Sequence, residues 1–195
     1  MNGIPQSYHG KPLIHAWNYC AMDGATIGIV ARFQEADGKK DIVPFFKRNG
    51  STWAAGIELN PRPLFGLDKL ATHPKDKAVF IVEGEKSAAA LQSIGIAAVS
   101  SLGGSQAAKQ ADWTPLSGYK LVYLLPDADE PGEHYMQDVY RALMALESPP
   151  PCKVVVLSGL PVAGDVVDWI QSLISDWNGY TPIDKRLYEP LREEL

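Results

Sequence analysis

Short apolar runs alternate with segments of helical periodicity in the second half of the chain. The strands predicted from these runs cover residues 78–82, 96–100, 119–125 and 153–157, and the helical patterns cover residues 85–94, 106–113, 130–147 and 165 to about 175. Uninterrupted apolar runs of this length are typical of parallel strands that are buried on both faces. Their regular alternation with helices predicts an α/β fold, in which a parallel sheet of about four strands is flanked by helices.

The first half of the chain has the pattern of a small antiparallel β region. Alternating or aromatic-rich segments at 15–21, 26–33 and 41–47 are separated by Asp23-Gly24 and Asp37-Gly38, which favour tight hairpin turns. Asn49-Gly50 predicts a third turn. The segment 60–63 then breaks the pattern, and residues 64–70 are predicted to form a short helix or docking segment before the α/β part.

Carboxylates follow two of the predicted parallel strands. Glu83 comes directly after the run 78–82, and Asp127 and Asp129 follow the run 119–125. Because parallel strands end at the same edge of a sheet, we expect these three side chains to converge. Clustered carboxylates repel each other unless a cation lies between them, and hard oxygen ligands without nearby cysteine or histidine favour Mg²⁺ or Mn²⁺.

Each of these acids also has a structural alternative. Glu83 could stabilise the start of the following helix through its dipole, and Asp127 and Asp129 could be turn-forming residues ahead of Pro131. Asp165 is a candidate metal ligand and equally a candidate helix cap.

Four segments, in this order, resemble the Toprim domain that primases, type IA and II topoisomerases and small nucleases share. The segments are 82–88 (VEGEKSA), 100–104 (SSLGG), 126–132 (PDADEPG) and 164–169 (GDVVDW). The resemblance covers residues 74 to 175 and is to the primase type found in phages and plasmids. It implies that Glu83, Asp127 and Asp129 are catalytic, and that these three and Asp165 bind Mg²⁺ or Mn²⁺.

Positive charge collects in the first half of the chain. Residues 1–75 carry nine Lys and Arg against six Asp and Glu, whereas the remainder carries nine against seventeen, for a net charge of -5 overall. Candidate contacts to nucleic-acid phosphates are Lys39, Lys40, Lys47, Arg48, Lys86, Gly103 and Gly104.

The first four of these cations lie near aromatic residues in the sequence. Phe45, Phe46 and Trp53 together with basic side chains make the mixture that binds single strands. Alternatively, the aromatic rings form the core of a small sheet and the lysines its solvated face. Lys86 either contacts a phosphate or pairs with a carboxylate of its own helix, and the backbone N–H groups of Gly103 and Gly104 could face a phosphate.

The sequence divides into three predicted parts. Residues 1–73 form a basic, β-rich region for template binding, residues 74–177 form the catalytic Toprim domain, and residues 178–195 form a tail or linker without a clear packing role. Cys20 and Cys152 are far apart and outside any paired motif, so no zinc module is predicted. Neither a signal peptide nor a membrane-spanning run is present, so we expect a cytoplasmic location.

The resemblance implies the function of a DNA primase. Its substrates would be a single-stranded DNA template and ribonucleotides, with a replicative helicase as a partner domain or protein. Two alternatives stay open: a metal-dependent Toprim nuclease, and a non-catalytic module that binds nucleic acid. The basic β region ahead of the Toprim part favours the primase by analogy.

Overall fold

The computed structural model of the chain describes residues 3–48, 52–187 and 191, and it contains two β-sheets. The first is an antiparallel meander whose strands pair in chain order: β1 (Ser7–Tyr8), β2 (Lys11–Cys20), β3 (Thr26–Gln34), β4 (Lys40–Arg48) and β5 (Thr52–Ala55). The two predicted hairpin turns are confirmed, because Gly24 and Gly38 adopt positive φ between consecutive strands. The predicted turn at Asn49-Gly50 lies outside the described residues.

The second sheet is mostly parallel. Its strands are β6 (Leu64–Phe65), β7 (Val79–Ile81), β8 (Ala98–Ser101), β9 (Val122–Leu124) and β10 (Cys152–Val154), in the spatial order β10-β9-β7-β8-β6. Only β6 runs antiparallel to its neighbour, β8. The predicted combination of a parallel α/β sheet with a preceding antiparallel region is therefore confirmed.

Helices connect the parallel strands. The α-helices are α1 (Leu67–Leu70), α2 (Glu85–Ser93), α3 (Glu130–Met144) and α4 (Val166–Leu173), and short 3₁₀ turns occupy Gly104–Gln106, Ala108–Gln110, Thr114–Leu116 and Lys185–Leu187. Helix α2 joins β7 to β8, and α3 joins β9 to β10. None of the helices described has the length and apolar character that crossing a membrane requires.

The prediction of a helix at residues 106–113 is wrong. Two 3₁₀ turns replace its first part, and Ala111 is extended because it forms a bridge with Arg62. The N–H of Arg62 donates to the carbonyl of Gln110 at 2.7 Å, and the N–H of Asp112 donates to the carbonyl of Arg62 at 2.8 Å. A contact distant in sequence therefore overrides the local helical pattern.

The two sheets share one hydrophobic core. Tyr19, Val30 and Phe46 of the antiparallel sheet belong to the same buried cluster as Val82 and Leu91 of the α/β part. A second cluster fills the space between the parallel sheet and α3, and a third lies within the antiparallel sheet. The β region is therefore packed directly against the α/β part.

The segment after α4 also belongs to the shared core. Trp177, Ile183 and Leu191 are buried in it, and the indole Nε1 of Trp177 donates to the carbonyl of Thr181 at 2.7 Å. The expectation that residues 178–195 lack a packing role is therefore wrong for the part that the structure describes. Its anchors are widely spaced and follow no strand or helix period, so the sequence pattern does not reveal them.

We expect Ile183→Ala to lower the free energy of unfolding by about 2 to 3 kcal/mol, because it leaves a cavity in the shared core. Leu187→Ala is the matched control, since Leu187 is 41% exposed in the same segment, and it should cost less than about 0.5 kcal/mol. Denaturant unfolding of both variants measures the difference. Equal small losses would show that the segment does not contribute to the core.

Candidate functional site

Three of the four predicted metal-binding acids line one cleft between the sheets. Glu83 follows β7 and Asp127 follows β9, and these strands are parallel neighbours. The cleft has a volume of about 400 Å³, and Asp165 also lines it. The prediction that acids from the two strand ends lie at the same edge of the sheet agrees with this placement.

Backbone hydrogen bonds fix the loops that carry these acids. The ladder continues past the strands, with Val82 N–H donating to the carbonyl of Val99 at 3.1 Å and Leu125 N–H to that of Ile81 at 3.0 Å. The loop after β9 is joined to the loop before α4, because Ala128 N–H donates to the carbonyl of Gly164 at 2.8 Å. This bond holds the loops of Asp127 and Asp165 side by side.

Asp129 and Asp165 are both helix caps. The Asp129 carboxylate accepts a bond from the N–H of Gly132 at the start of α3, at 2.7 Å. Asp165 caps α4 and forms a reciprocal capping box with Asp168, and its other carboxylate oxygen accepts a 3.3 Å bond from the Ser87 hydroxyl. The structural alternative predicted for Asp165 is thus realised, and Asp129 has a capping role as well.

Burial and nearby negative charges raise the pKa of Asp127. Burial of Asp127, followed by the negative charges of Glu83, Asp165, Asp129 and Asp168, raises the pKa of its carboxyl from 3.8 to about 8. In the absence of a cation, this carboxyl is therefore held largely protonated near neutral pH.

This donor set suits a hard divalent cation in its chemistry. It consists of carboxylate oxygens, and a cation would remove the penalty on ionised Asp127. Within residues 3–48, 52–187 and 191, however, no three carboxylate, histidine or cysteine side chains meet in an arrangement that could hold an ion. Ligation by Glu83, Asp127, Asp129 and Asp165 therefore stays a prediction.

Cations also line this cleft. Lys40 and Lys86, two of the predicted phosphate contacts, are joined there by Arg32 of β3, which sequence analysis missed. Gly103 and Gly104 also line the cleft and both have positive φ. The φ of +109° at Gly103 is a conformation that other residues rarely adopt, which favours glycine at that position.

The other predicted cations lie elsewhere. Lys39 pairs with Asp37 in the β3–β4 turn, the ammonium of Lys47 lies 5.3 Å from the centre of the Trp53 ring, and Arg48 pairs with Glu58. Lys40 and Arg48 begin and end β4, a separation of about 27 Å. The four cations therefore do not form one cluster.

The aromatic residues beside these cations pack mainly as the core alternative predicted. Phe45 and Phe46 are buried in hydrophobic clusters, and Trp53 is half-buried against one of them. Two of the three rings are therefore closed to stacking with bases.

Tyr19 and Glu85 form a buried polar contact that sequence analysis missed. The Tyr19 hydroxyl donates to a carboxylate oxygen of Glu85 at 2.6 Å, and both residues are buried. Burial raises the pKa of Glu85, while the hydrogen bond from Tyr19 acts in the opposite direction. Only one hint was available in the sequence, namely an acid at the first position of a helix directly after Glu83-Gly84.

Asp127 should make stability depend on pH in metal-free buffer. Its pKa is raised on folding, so its contribution is fully present below its ordinary pKa of 3.8 and is lost as pH rises through about 8. As the pH rises from 3.8 to about 8, the free energy of unfolding of wild type should therefore fall relative to that of Asp127→Asn.

Asp138→Asn is the control for this prediction. The pKa of Asp138 is lowered, chiefly by its hydrogen bond from Lys109, so the corresponding difference should stay flat above about pH 5. Chemical denaturation across the pH range measures both differences. A flat difference for Asp127→Asn would mean that Asp127 titrates normally.

Comparison with known proteins identifies one domain within the chain and solved structures with a similar fold. The model of the Toprim domain matches residues 78–158. No curated protein sequence matches the chain significantly.

Three solved structures illustrate the shared fold. The crystal structure of the primase fragment of the bacteriophage T7 primase-helicase protein has 18% sequence identity and a TM-score of 0.56, with 89% of this chain and 63% of that chain covered. The structure of the zinc-binding and RNA polymerase domains of Aquifex aeolicus primase has 20% identity and a TM-score of 0.55, with 94% and 39% covered.

The third is a structure of bacteriophage T7 lagging-strand DNA polymerase interacting with primase domains of two gp4 subunits bound to an RNA/DNA hybrid and dTTP. It has 18% identity and a TM-score of 0.55, with 85% of this chain and 75% of that chain covered. Identities this low establish a common fold and nothing finer. The family match and the shared fold together confirm the resemblance predicted from the sequence and identify residues 78–158 as a Toprim domain.

Proposed function

We propose that this chain is a primase-type nucleotidyltransferase that makes RNA primers on single-stranded DNA. The observation that carries the proposal is one cleft in which Glu83 and Asp127, from the ends of adjacent parallel strands, lie with Lys40 and Lys86. Nucleotide addition requires this combination, because phosphate charge must be bound while a hydroxyl attacks an α-phosphate. The fold shared with primase fragments supports the same function by analogy.

Each group in the cleft has a proposed role. Glu83, Asp127, Asp129 and Asp165 would hold Mg²⁺ or Mn²⁺, which when bound lowers the pKa of the attacking hydroxyl and neutralises charge on the leaving pyrophosphate. Glu83 is either a ligand or the general base for that hydroxyl. The cations of the antiparallel sheet would hold the template or nucleotide phosphates, and a replicative helicase would be the partner in replication.

A non-catalytic nucleic-acid-binding module is the second candidate. It is favoured by the cap bonds of Asp129 and Asp165, which give both acids a structural use independent of catalysis. A primer-synthesis assay with labelled ribonucleotides, a single-stranded template and Mg²⁺ or Mn²⁺ distinguishes the two. Binding of the template without product would support the module, and cleavage of labelled DNA in a parallel reaction would support a nuclease.

Glu83→Gln tests the central acid, because it keeps the side-chain volume and removes the charge. We expect primer synthesis to fall by about 100-fold or more, and the rise in melting temperature caused by Mn²⁺ to become smaller than in wild type. Without metal, the variant should be at least as stable as wild type, since repulsion with Asp127 is relieved. Activity assays and thermal melts with and without Mn²⁺ measure these effects.

The exposed acid Glu133 provides the matched control. Glu133→Gln removes the same charge from the first turn of α3 and should leave both activity and the Mn²⁺ effect unchanged. If Glu83 only stabilises its helix start, Glu83→Gln should instead lose up to about 1 kcal/mol of stability. A Mn²⁺-induced shift as large as in wild type would remove Glu83 from the metal site.

Template binding by the two ends of β4 can be tested separately. Replacing Lys39 and Lys40 by alanine changes one end, and replacing Lys47 and Arg48 changes the other. Removal of a cation that contacts a phosphate should weaken binding of a single-stranded oligonucleotide. It should also reduce, by about 0.7, the steepness with which the logarithm of the binding constant falls against the logarithm of the salt concentration. Fluorescence anisotropy at several salt concentrations measures both quantities.

Lys69→Ala is the control, since Lys69 is exposed and pairs with Asp68 in α1. An unchanged affinity and slope for the Lys47 and Arg48 variant would assign these residues to the solvated face. If the Lys39 and Lys40 variant also kept the affinity and slope of wild type, these cations of the antiparallel sheet would not contact the template.

A further inference from the structure

Three cations from three different elements meet in the cleft. Arg32 comes from β3, Lys40 from the start of β4, and Lys86 from the first turn of α2. Burial lowers the pKa of Lys86, and the positive charges of Arg32 and Lys40 lower it further, so both charges lie close enough to act on the Lys86 ammonium. Bringing like charges together costs free energy, which a bound anion would offset.

The acids that form ion pairs elsewhere in the structure engage other cations than Arg32, Lys40 and Lys86: these acids are Asp37, Asp41, Glu58, Asp68, Asp138 and Asp184. Asp165 is the acid whose charge acts most on Lys86. Its oxygens, however, are engaged by the backbone of α4 and by the Ser87 hydroxyl.

The segment after α4 holds Lys86 in place. Its ammonium lies 5.3 Å from the centre of the Tyr180 ring, a distance at which a cation is attracted to an aromatic face. The neighbouring Gly179 passes so close that an added Cβ would lie 3.2 Å from the Lys86 nitrogen and 3.0 Å from its ε carbon.

Tyr180 is itself fixed from two sides. Its ring packs against His15 and Trp17 of β2, with ring centres 4.8 and 6.2 Å away. The side-chain oxygen of Asn178 accepts bonds from the N–H groups of Tyr180 and Thr181, both at 2.9 Å, which sets the local turn. The ring is thus a fixed support for the lysine.

We propose that Tyr180 is a positioning residue that directs Lys86 toward Arg32 and Lys40, so that these three cations bind one phosphate group as a subsite. This inference deepens the proposed function and rests on it for the compound to which the phosphate belongs. A guanidinium and two ammonium groups supply several donors to phosphate oxygens, and the backbone of Gly103 and Gly104 lines the same cleft. The phosphate belongs either to a nucleoside triphosphate or to a nucleic-acid backbone.

Binding measurements without divalent ions and without turnover test the subsite. The probes are inorganic tripolyphosphate, which represents the triphosphate, and a single-stranded thymidine oligonucleotide, which represents the backbone. Lys86→Met should weaken binding of at least one probe by about tenfold. Lys109→Met is the matched control, because Lys109 pairs with Asp138 at a different surface, and it should bind both probes as wild type does.

The positioning role of Tyr180 requires a readout that altered packing alone would not change. Tyr180→Leu should weaken binding of the same probe by about threefold, whereas Tyr180→Phe, which keeps the ring, should stay within about twofold of wild type. In the Lys86→Met background, Tyr180→Leu should have no further effect. If Tyr180→Leu does not fold, Tyr180→Met replaces it, and Tyr140→Leu controls for loss of an exposed tyrosine.

The outcomes separate the two proposals. Weaker binding of tripolyphosphate alone assigns the subsite to a nucleotide, and weaker binding of the oligonucleotide alone assigns it to the backbone; both support the subsite. Unchanged binding of both probes by Lys86→Met overturns it, even if primers are made. An equal loss from Tyr180→Leu in both backgrounds overturns the positioning role. Intact phosphate binding without primer synthesis counts against the proposed function alone.

Discussion

The hydrogen bond from the Tyr19 hydroxyl to Glu85 joins the antiparallel sheet to the start of helix α2, beside the candidate site. The 2.6 Å contact is buried within the shared core, where a carboxyl without a donor would be costly. Glu85 is the first residue of α2 and lies two positions after Glu83, so the contact ties the turn that carries Glu83 to strand β2. The shared hydrophobic core packs the antiparallel sheet against the α/β part, and this bond adds a polar contact beside the cleft.

This packing places opposite charges in one cleft. The acids come from loops of the parallel sheet, whereas Arg32 and Lys40 come from the antiparallel sheet and Lys86 from α2. The raised pKa of Asp127 and the lowered pKa of Lys86 are two effects of the same burial. A ligand that carries both bound cations and phosphate groups would satisfy both sides, which is the electrostatic basis of the proposed function.

Sequence patterns predicted the elements with local causes. The apolar runs, the Asp-Gly turns and the Asp165 cap were predicted correctly, because strand burial, positive φ and side-chain capping depend on adjacent residues. Distant contacts were not predictable in this way. Pairing with the backbone of Arg62 takes the place of the helix predicted at 106–113. Trp177 and Ile183 are both buried, but their spacing follows no strand or helix period. Arg32 is a single charge in an apolar strand, so only the three-dimensional structure places it beside Lys40 and Lys86.

The capping bonds explain why the negative charge around Asp127 persists. Asp129 accepts a bond from the start of α3, and Asp165 and Asp168 hold each other through the capping box of α4, so none of the three can rotate away without exposing unpaired helix N–H groups. Gly132 allows α3 to begin against the Asp127 backbone, since an added Cβ would lie 2.7 Å from the Asp127 carbonyl oxygen. The helix starts therefore fix the acids at close range, and protonation of Asp127 or binding of a cation remains as the way to relieve their repulsion.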